Sequence, residues 1–249
     1  MFRKLLKIIG FLALVAFVIV TLAFTASEVN NATCRSIEVE YDSDEIIKIN
    51  KEEIIRLVTN TDKQILTKKL EQINAETIED EVEKHQAVLN AEVYKVIVKD
   101  SSAYKGILTV RVKHREPVVR IISNSANYYL DEFGRKIPVS SEYTANVLVA
   151  TGYINEKFAR ETLLPGVLYI ENNEFWEAQI EQVHISQDGN VILTPLVGDH
   201  IIELGTLDNY QGKLRNMKAF YKKVLANNNW NKYKSISLKY NNQVIAKRR

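Results

Sequence analysis

An uncharged run near the N-terminus sets the first constraint on this chain. Residues 8–27 carry no charged side chain, and three of the residues before them are basic: Arg3, Lys4 and Lys7. At about 1.5 Å per residue, a helix of this length covers the roughly 30 Å hydrocarbon core of a bilayer. A helix also satisfies its own backbone hydrogen bonds in lipid, and the cations favour a cytoplasmic N-terminus. We therefore predict a cytoplasmic tail at 1–7, a single transmembrane helix at 8–27, and all later residues outside the membrane.

A cleaved signal peptide and a lipoprotein anchor are the two alternatives for this segment. The apolar region of a signal peptide usually spans about 7–15 residues and ends in a small-x-small cleavage site. The present run is longer, and residues 23–26 lack that spacing. Residues 31–33, which precede Cys34, do not resemble a lipidation box. The pattern therefore favours a retained anchor.

Composition narrows what the remaining 222 residues can be, and their number suits one large or two small domains. Without Arg3, Lys4 and Lys7, 30 Lys and Arg stand against 31 Asp and Glu. This balance argues against a nucleic-acid partner, which requires a clustered basic surface. Cys34 is the only cysteine, so no internal disulfide can form. We interpret Cys34 as a small apolar strand residue and expect an apolar core to hold the fold.

Residues 34–115 have the pattern of a small α+β module. Apolar and polar residues alternate at 34–42, which is typical of a half-buried strand. Asn50 begins a short amphipathic helix and a second covers 75–85, followed by strands at 93–98 and 107–113. The order strand, helix, helix, strand, strand predicts two helices packed on a three-stranded sheet.

From Glu116-Pro117 onward the pattern becomes mostly β. Proline cannot donate to a central ladder, so Pro117 marks a strand start or a sheet edge. An Asp188-Gly189 pair between two apolar runs predicts a hairpin. Residues 209–226 carry one apolar stripe and predict a longer helix. Residues 116–249 are therefore predicted to form a mainly antiparallel β domain with a long helix.

The sequence shows no pattern typical of a catalytic or metal site, so we predict neither an enzyme nor a cofactor. The histidines stand apart from one another, whereas zinc ligands normally occur at short fixed spacings. Nucleophile-elbow and glycine-rich phosphate-loop motifs are lacking. Triads assembled from distant residues remain open, because geometry rather than sequence identifies them.

A binding surface is the remaining possibility, and the C-terminal strand pair is the best candidate. A strand at a sheet edge has unpaired N–H and C=O groups that can accept a partner strand. The alternative is that nearby cations protect the edge from pairing. These cations are Lys239, Lys247, Arg248 and Arg249.

Five stretches of the sequence carry short motifs in a recognisable order: 110–120, which includes Glu116-Pro117; 129–135, a turn with tyrosine, aspartate and glycine; 175–182; 202–205; and 230–240. Through these stretches the chain as a whole resembles the FtsQ/DivIB family of bacterial cell-division proteins. The motifs are short, but their order covers nearly the whole sequence. The cytoplasmic tail here is shorter than in the family, so no contact through a longer extension is expected.

The resemblance implies a POTRA-type module at 34–115 and a non-catalytic scaffold of the divisome. It implies a single-pass protein of the cytoplasmic membrane at the septum, with its domains in the periplasm. The POTRA module is associated with septal recruitment, and the last strands of the β domain bind the division proteins FtsB and FtsL. The matching positions here are Lys239, Tyr240 and Asn242. For Tyr240, a core residue in register with Ile236 and Leu238 is the alternative.

Two other functions remain open at this point. A POTRA-bearing envelope chaperone or assembly factor would handle extended client chains, although such proteins usually accompany a β-barrel, and the repeated strand pattern of a barrel is not evident. A membrane-anchored hydrolase would need a site assembled from distant residues.

Overall fold

A computed structural model of the chain describes residues 2–41, 47–100, 103–124, 126–141, 143–226, 230–240 and 242–249. Side chains are described for these residues except 2–8, 25, 28–30, 100 and 103. Contacts divide the chain into two compact units, Met1–His114 and Arg115–Arg249, which we call unit 1 and unit 2.

The first helix, α1, is Phe2–Asn30, and it corrects the predicted fold class. Within the described part of the chain, the structure contains no helix whose length and apolar character would let it cross a bilayer. The prediction of a transmembrane helix at 8–27 is therefore wrong.

Unit 1 otherwise has the predicted α+β order. After α1 it contains β1 (Cys34–Tyr41), α2 (Lys51–Thr61), two 3₁₀ turns (Ile65–Thr67 and Leu70–Gln72), α3 (Ala75–Glu83), β2 (Val88–Asp100) and β3 (Ala103–His114). The sheet order is β1-β3-β2. Strand β1 runs parallel to β3, and β2 runs antiparallel to it.

The two helices of unit 1 begin at asparagine caps and bury one face each. The Asn50 side chain accepts a hydrogen bond from Glu52 N at 3.0 Å, and that of Asn74 accepts one from Thr77 N at 3.4 Å. Such caps satisfy backbone donors that lack a partner within the helix. The fully buried apolar residues of these two helices and of β3 are Ile54, Val58, Ile78, Val82, Leu108, Val110 and Val112.

Unit 2 is a nine-stranded sheet with helical connections. Its elements are β4 (Pro117–Ser123), β5 (Asn127–Asp131), β6 (Lys136–Pro138), β7 (Leu148–Gly152), α4 (Glu156–Phe158), a π turn (Ala159–Leu163), α5 (Leu164–Glu171), α6 (Glu174–Glu177), β8 (Ile180–Ile185), β9 (Val191–Pro195), β10 (Ile201–Gly205), α7 (Tyr210–Phe220), a π turn (Tyr221–Leu225), β11 (Tyr233–Ser237) and β12 (Ile245–Arg248). The strand order is β12-β11-β10-β9-β8-β7-β4-β5-β6.

The sheet of unit 2 is mostly antiparallel, as predicted. Of the eight pairings between the described strands, three are parallel: β4 with β7, β7 with β8, and β10 with β11. A parallel pair needs a crossover connection, usually helical. Segments α4 to α6 provide the crossover from β7 to β8, and α7 provides that from β10 to β11.

One row of residues in register crosses the sheet and forms the core of unit 2. From β11 to β5 it consists of Ile236, Ile202, Leu193, Val183, Ala150, Ile121 and Tyr128. All are buried in one apolar cluster with α5 and α7 residues such as Val167, Leu214 and Met217. The adjacent row lies on the other face, and all its members are at least partly exposed: Ser237, Glu203, Ile192, His184, Thr151 and Ile122. The helices therefore cover one face of the sheet.

Candidate functional site

The end strand β12 is the candidate binding surface. It pairs antiparallel with β11, and β11 in turn pairs parallel with β10. Within the described residues, no strand pairs with the outer side of β12. The sheet therefore ends here in a row of backbone groups that have no partner strand.

The register identifies which residues of β12 present those groups. The Arg249 backbone N–H donates to Lys232 O at 3.2 Å, so Arg249 points inward to the neighbouring chain segment. Inward and outward bonding alternate along an antiparallel strand. Lys247 and Ile245 therefore bond inward as well, and Ala246 and Arg248 direct their N–H and C=O groups away from the sheet.

Side chains along β12 range from apolar to basic. Ala246 is partly buried opposite Ile236 and packs against the core. Ile245 is 48% exposed, and Lys247 and Arg248 are exposed. Within β12, Ala246 is thus the residue that packs against the core, while the exposed side chains of Ile245, Lys247 and Arg248 are available to a partner.

Two other end strands are less open. In unit 1, the Ala91 N–H donates to Glu83 Oε1 at 3.0 Å and the Val93 N–H to Glu79 Oε1 at 2.7 Å. Two carboxylates of α3 thus occupy donors on the outer edge of β2. At the opposite end of the unit 2 sheet, β6 has three residues and ends at Pro138. Short strands and proline discourage strand addition.

The three residues predicted from the resemblance lie between β11 and β12 and outside both strands. Lys239 Nζ is 3.8 Å from Glu203 Oε2, and its side chain covers Gly205, whose φ is +75°. Asn242 has a φ of 61°, which asparagine tolerates in turns. Tyr240 is 63% exposed, whereas Leu238 is 1% exposed. Tyr240 is therefore not a core residue in register with Leu238.

The structure brings two of these three residues together. Tyr240 and Asn242 line a groove beside α7, together with Asn209, Gly212, Arg215 and Asn216. Lys239 is not among the lining residues and instead pairs with Glu203. Asn242 precedes β12 by three residues, so the groove adjoins the N-terminal end of the open strand.

Other motif residues hold the fold. Trp176 is buried and contacts Tyr221 edge-on, with ring centroids 5.8 Å apart, and Trp230 contacts Tyr221 at 5.4 Å. Burial in this aromatic cluster raises the pKa of Tyr221 well above its ordinary value. Cys34 is fully buried in β1, and burial raises the pKa of its thiol. In the described part of the chain, no group of His, Cys, Asp and Glu is placed to hold a metal ion.

Sequence reasoning missed the outward positions Ala246 and Arg248. It predicted the last strand at 243–247, close to the observed Ile245–Arg248. The inward or outward direction of each residue depends on the pairing of Arg249 with Lys232, and a sequence does not specify that register.

Comparison with known families gives two matches. The family model described as FtsQ/DivIB, C-terminal related, matches residues 116–247, and a POTRA-like domain model matches residues 32–100. No curated protein matches the chain.

Proposed function

The chain belongs to the FtsQ/DivIB family of bacterial cell-division proteins, and we propose that it acts as a non-catalytic scaffold that binds a division partner along the outer edge of β12. Partners of the FtsB and FtsL type are the ones that the family resemblance implies. The family is non-enzymatic, which favours a role in assembly over one in chemistry.

The open edge of β12 is the observation that carries this proposal. Ala246 and Arg248 direct backbone donors and acceptors outward, and an extended segment can bond to them as an added strand. The main-chain bonds supply affinity in this mode, and the flanking side chains supply specificity. Edge β2 of unit 1 is a weaker candidate, because Glu79 and Glu83 already bond two of its N–H groups.

The groove beside α7 supports the same proposal. Exposed aromatic side chains often anchor interfaces, and Tyr240 lines this groove in the segment that leads into β12. A segment added along β12 and continuing past Ile245 would meet Tyr240 and Asn242. Lys239 would contribute only if its 3.8 Å contact with Glu203 opened.

A proline at Ala246 tests strand addition directly. Ala246→Pro removes one outward N–H and leaves the inward bonds of Ile245 and Lys247 in place, a substitution that edge strands tolerate. Ala246→Val retains the N–H and serves as the matched control. We expect the full chain carrying Ala246→Pro to bind its FtsB-type partner about tenfold more weakly or worse, and the valine variant to bind normally.

Tryptophan fluorescence shows whether each variant is folded, because Trp176 and Trp230 both lie in unit 2. If Ala246→Pro disrupts the fold, the variant Arg248→Pro is tested in its place, because it removes the other outward N–H. Normal partner affinity in a folded proline variant would refute binding along β12.

A further inference from the structure

The charges of this protein are distributed very unevenly along the chain. Residues 209–249 contain eleven Lys and Arg and no Asp or Glu. The first 208 residues hold the other 22 Lys and Arg against all 31 Asp and Glu. The overall net charge of +2 therefore hides a strongly basic segment, and that segment contains α7, β11 and β12.

The basic residues nearest the open edge differ in how they are paired. Lys239 lies 3.8 Å from Glu203, and Arg249 Nη2 lies 3.3 Å from Asp199 Oδ2. By contrast, Lys234, Lys247 and Arg248 are exposed, and none of them forms an ion pair with an acidic side chain that the structure describes. The cations on β12 itself are thus available to an external anion.

These cations lie on both faces of the strand. Lys247 and Arg248 are consecutive, so their side chains point to opposite faces. A strand added beside β12 would place its own side chains next to both. A flat anionic surface, such as a bilayer, would contact the cations of one face only. The arrangement therefore fits an extended segment better than a lipid surface.

We propose that the β12 edge selects an acidic partner strand, one with carboxylates on both faces opposite Lys247 and Arg248. This inference rests on the proposed strand addition and adds the chemistry of the partner to it. The same charges oppose pairing with a second copy of the chain, because two β12 strands side by side would bring like charges together. The charges of β12 therefore disfavour self-association through this edge and favour the addition of an acidic segment.

Synthetic peptides test the charge preference on the full chain. The probe is a short peptide of Val-Glu-Glu repeats, whose carboxylates fall on both faces when it is extended, and its control is the Val-Gln-Gln peptide. We expect the acidic peptide to bind about tenfold more tightly, and this advantage to shrink as the salt concentration rises. Equal affinities would overturn the acidic preference.

Charge reversal then locates the effect. The double variant Lys247→Glu with Arg248→Glu should lose the preference for Val-Glu-Glu and prefer a Val-Lys-Lys peptide. The control is Lys222→Glu with Lys223→Glu, which makes the same change in net charge on the π turn after α7 and should keep the acidic preference. An unchanged preference in the β12 variant would overturn the proposal.

The outcomes separate this inference from the function on which it rests. If Ala246→Pro weakens partner binding but both peptides bind equally, strand addition stands and acidic selection falls. If Ala246→Pro changes neither partner nor peptide binding, both strand addition and acidic selection are refuted.

Phosphatidylglycerol vesicles provide the remaining comparison. If they bind more tightly than the acidic peptide, and through Lys247 and Arg248, an anionic lipid surface replaces the acidic strand as the ligand.

Discussion

Arg115 Nη1 lies 3.0 Å from Asp131 Oδ2, and both side chains are more than nine-tenths buried. The other carboxylate oxygen, Oδ1, accepts the backbone N–H groups of Phe133 and Arg135 at 3.0 and 2.7 Å. Asp131 therefore neutralises a buried cation and holds the turn after β5 at the same time. Gly134 completes this turn with a φ of +73°.

Replacing Asp131 with asparagine should be strongly destabilising. Asp131→Asn retains an oxygen for the turn but leaves the Arg115 guanidinium buried without a counter-charge. Breaking a buried pair in this way costs about 3–5 kcal/mol. Urea unfolding followed by tryptophan fluorescence measures the change in unit 2, since both tryptophans lie there.

An exposed ion pair in the same unit provides the control. Lys136 pairs with Glu156, whose side chain is 67% exposed, so Glu156→Gln should cost about 1 kcal/mol or less. Adding Arg115→Met to Asp131→Asn should recover part of the lost stability, because the double variant no longer contains the unpaired buried cation. A cost for Asp131→Asn as small as that for Glu156→Gln would contradict the role given to the buried pair.

Two glycines with positive φ should respond differently to alanine. Gly152 ends β7 with a φ of +102°, and a Cβ there would lie 2.1 Å from Ile185 O on the paired strand β8. Gly189 has a φ of +78° with no atom within 4 Å of the Cβ position. Gly189→Ala should cost only the left-handed backbone, about 1–2 kcal/mol, whereas Gly152→Ala must also move a strand and should cost clearly more. Equal unfolding midpoints for the two variants would contradict this steric argument.

The stability of unit 2 should fall as the pH drops below neutrality because of His200. His200 is buried, with Nε2 3.1 Å from Tyr221 Oη, and burial lowers its pKa below the ordinary 6.5, although Trp230 O and Asp199 oppose the shift. As the pH falls through about 6.5, the unfolded chain takes up a proton before the folded one. The stability that neutral His200 contributes to unit 2 is therefore complete above that pH. It decreases below that pH by at most about 1.4 kcal/mol per pH unit.

Unfolding of wild type and His200→Gln at about pH 7.5 and 5.5 isolates this contribution from that of other groups. The glutamine variant has no imidazole to protonate and should lose less stability between the two pH values. An equal loss in both proteins would show that His200 does not carry the dependence.

Elements with a clear period were predictable from the sequence. The amphipathic stretch after Asn50 became α2, Asp188-Gly189 became the turn between β8 and β9, and the stripe at 209–226 became α7 with its π turn. In each case the local pattern and the tertiary packing favour the same structure, which makes a local prediction reliable.

The helix α5 was missed because its sequence contains two apparent helix breakers. Pro165 and Gly166 interrupt an apolar run without a polar face, so no amphipathic period is visible. Pro165 lies in the first turn of α5, where its missing N–H removes no intrahelical bond. Gly166 is buried against the core, with Leu207 3.4 Å from its Cβ position. Packing between sheet and helix, which a single sequence does not display, decides this segment.

The basic edge was missed for a different reason. The near-equal total numbers of basic and acidic residues argued against a nucleic-acid partner. Such totals do not show that the acidic residues all precede residue 209 and that residues 209–249 are strongly basic. The position of this segment along one edge also depends on the register of β12. A core position for Tyr240 was an open alternative because the alternation at Ile236, Leu238 and Tyr240 continues in the sequence beyond Ser237, where β11 ends.

Tyr240→Ala should weaken partner binding without weakening the fold. The side chain is 63% exposed, so its removal should change the free energy of unfolding by no more than about 0.5 kcal/mol. If the ring anchors the partner at the groove, binding should weaken by about 2 kcal/mol, or some thirtyfold in Kd. Calorimetric titration of the full chain with an FtsB-type partner measures this effect.

Tyr153→Ala provides the matched control. It removes a tyrosine that is 54% exposed and does not line the groove, so this variant should bind the partner normally. Equal affinities for the two variants would mean that the partner does not use the groove, even if it pairs with β12.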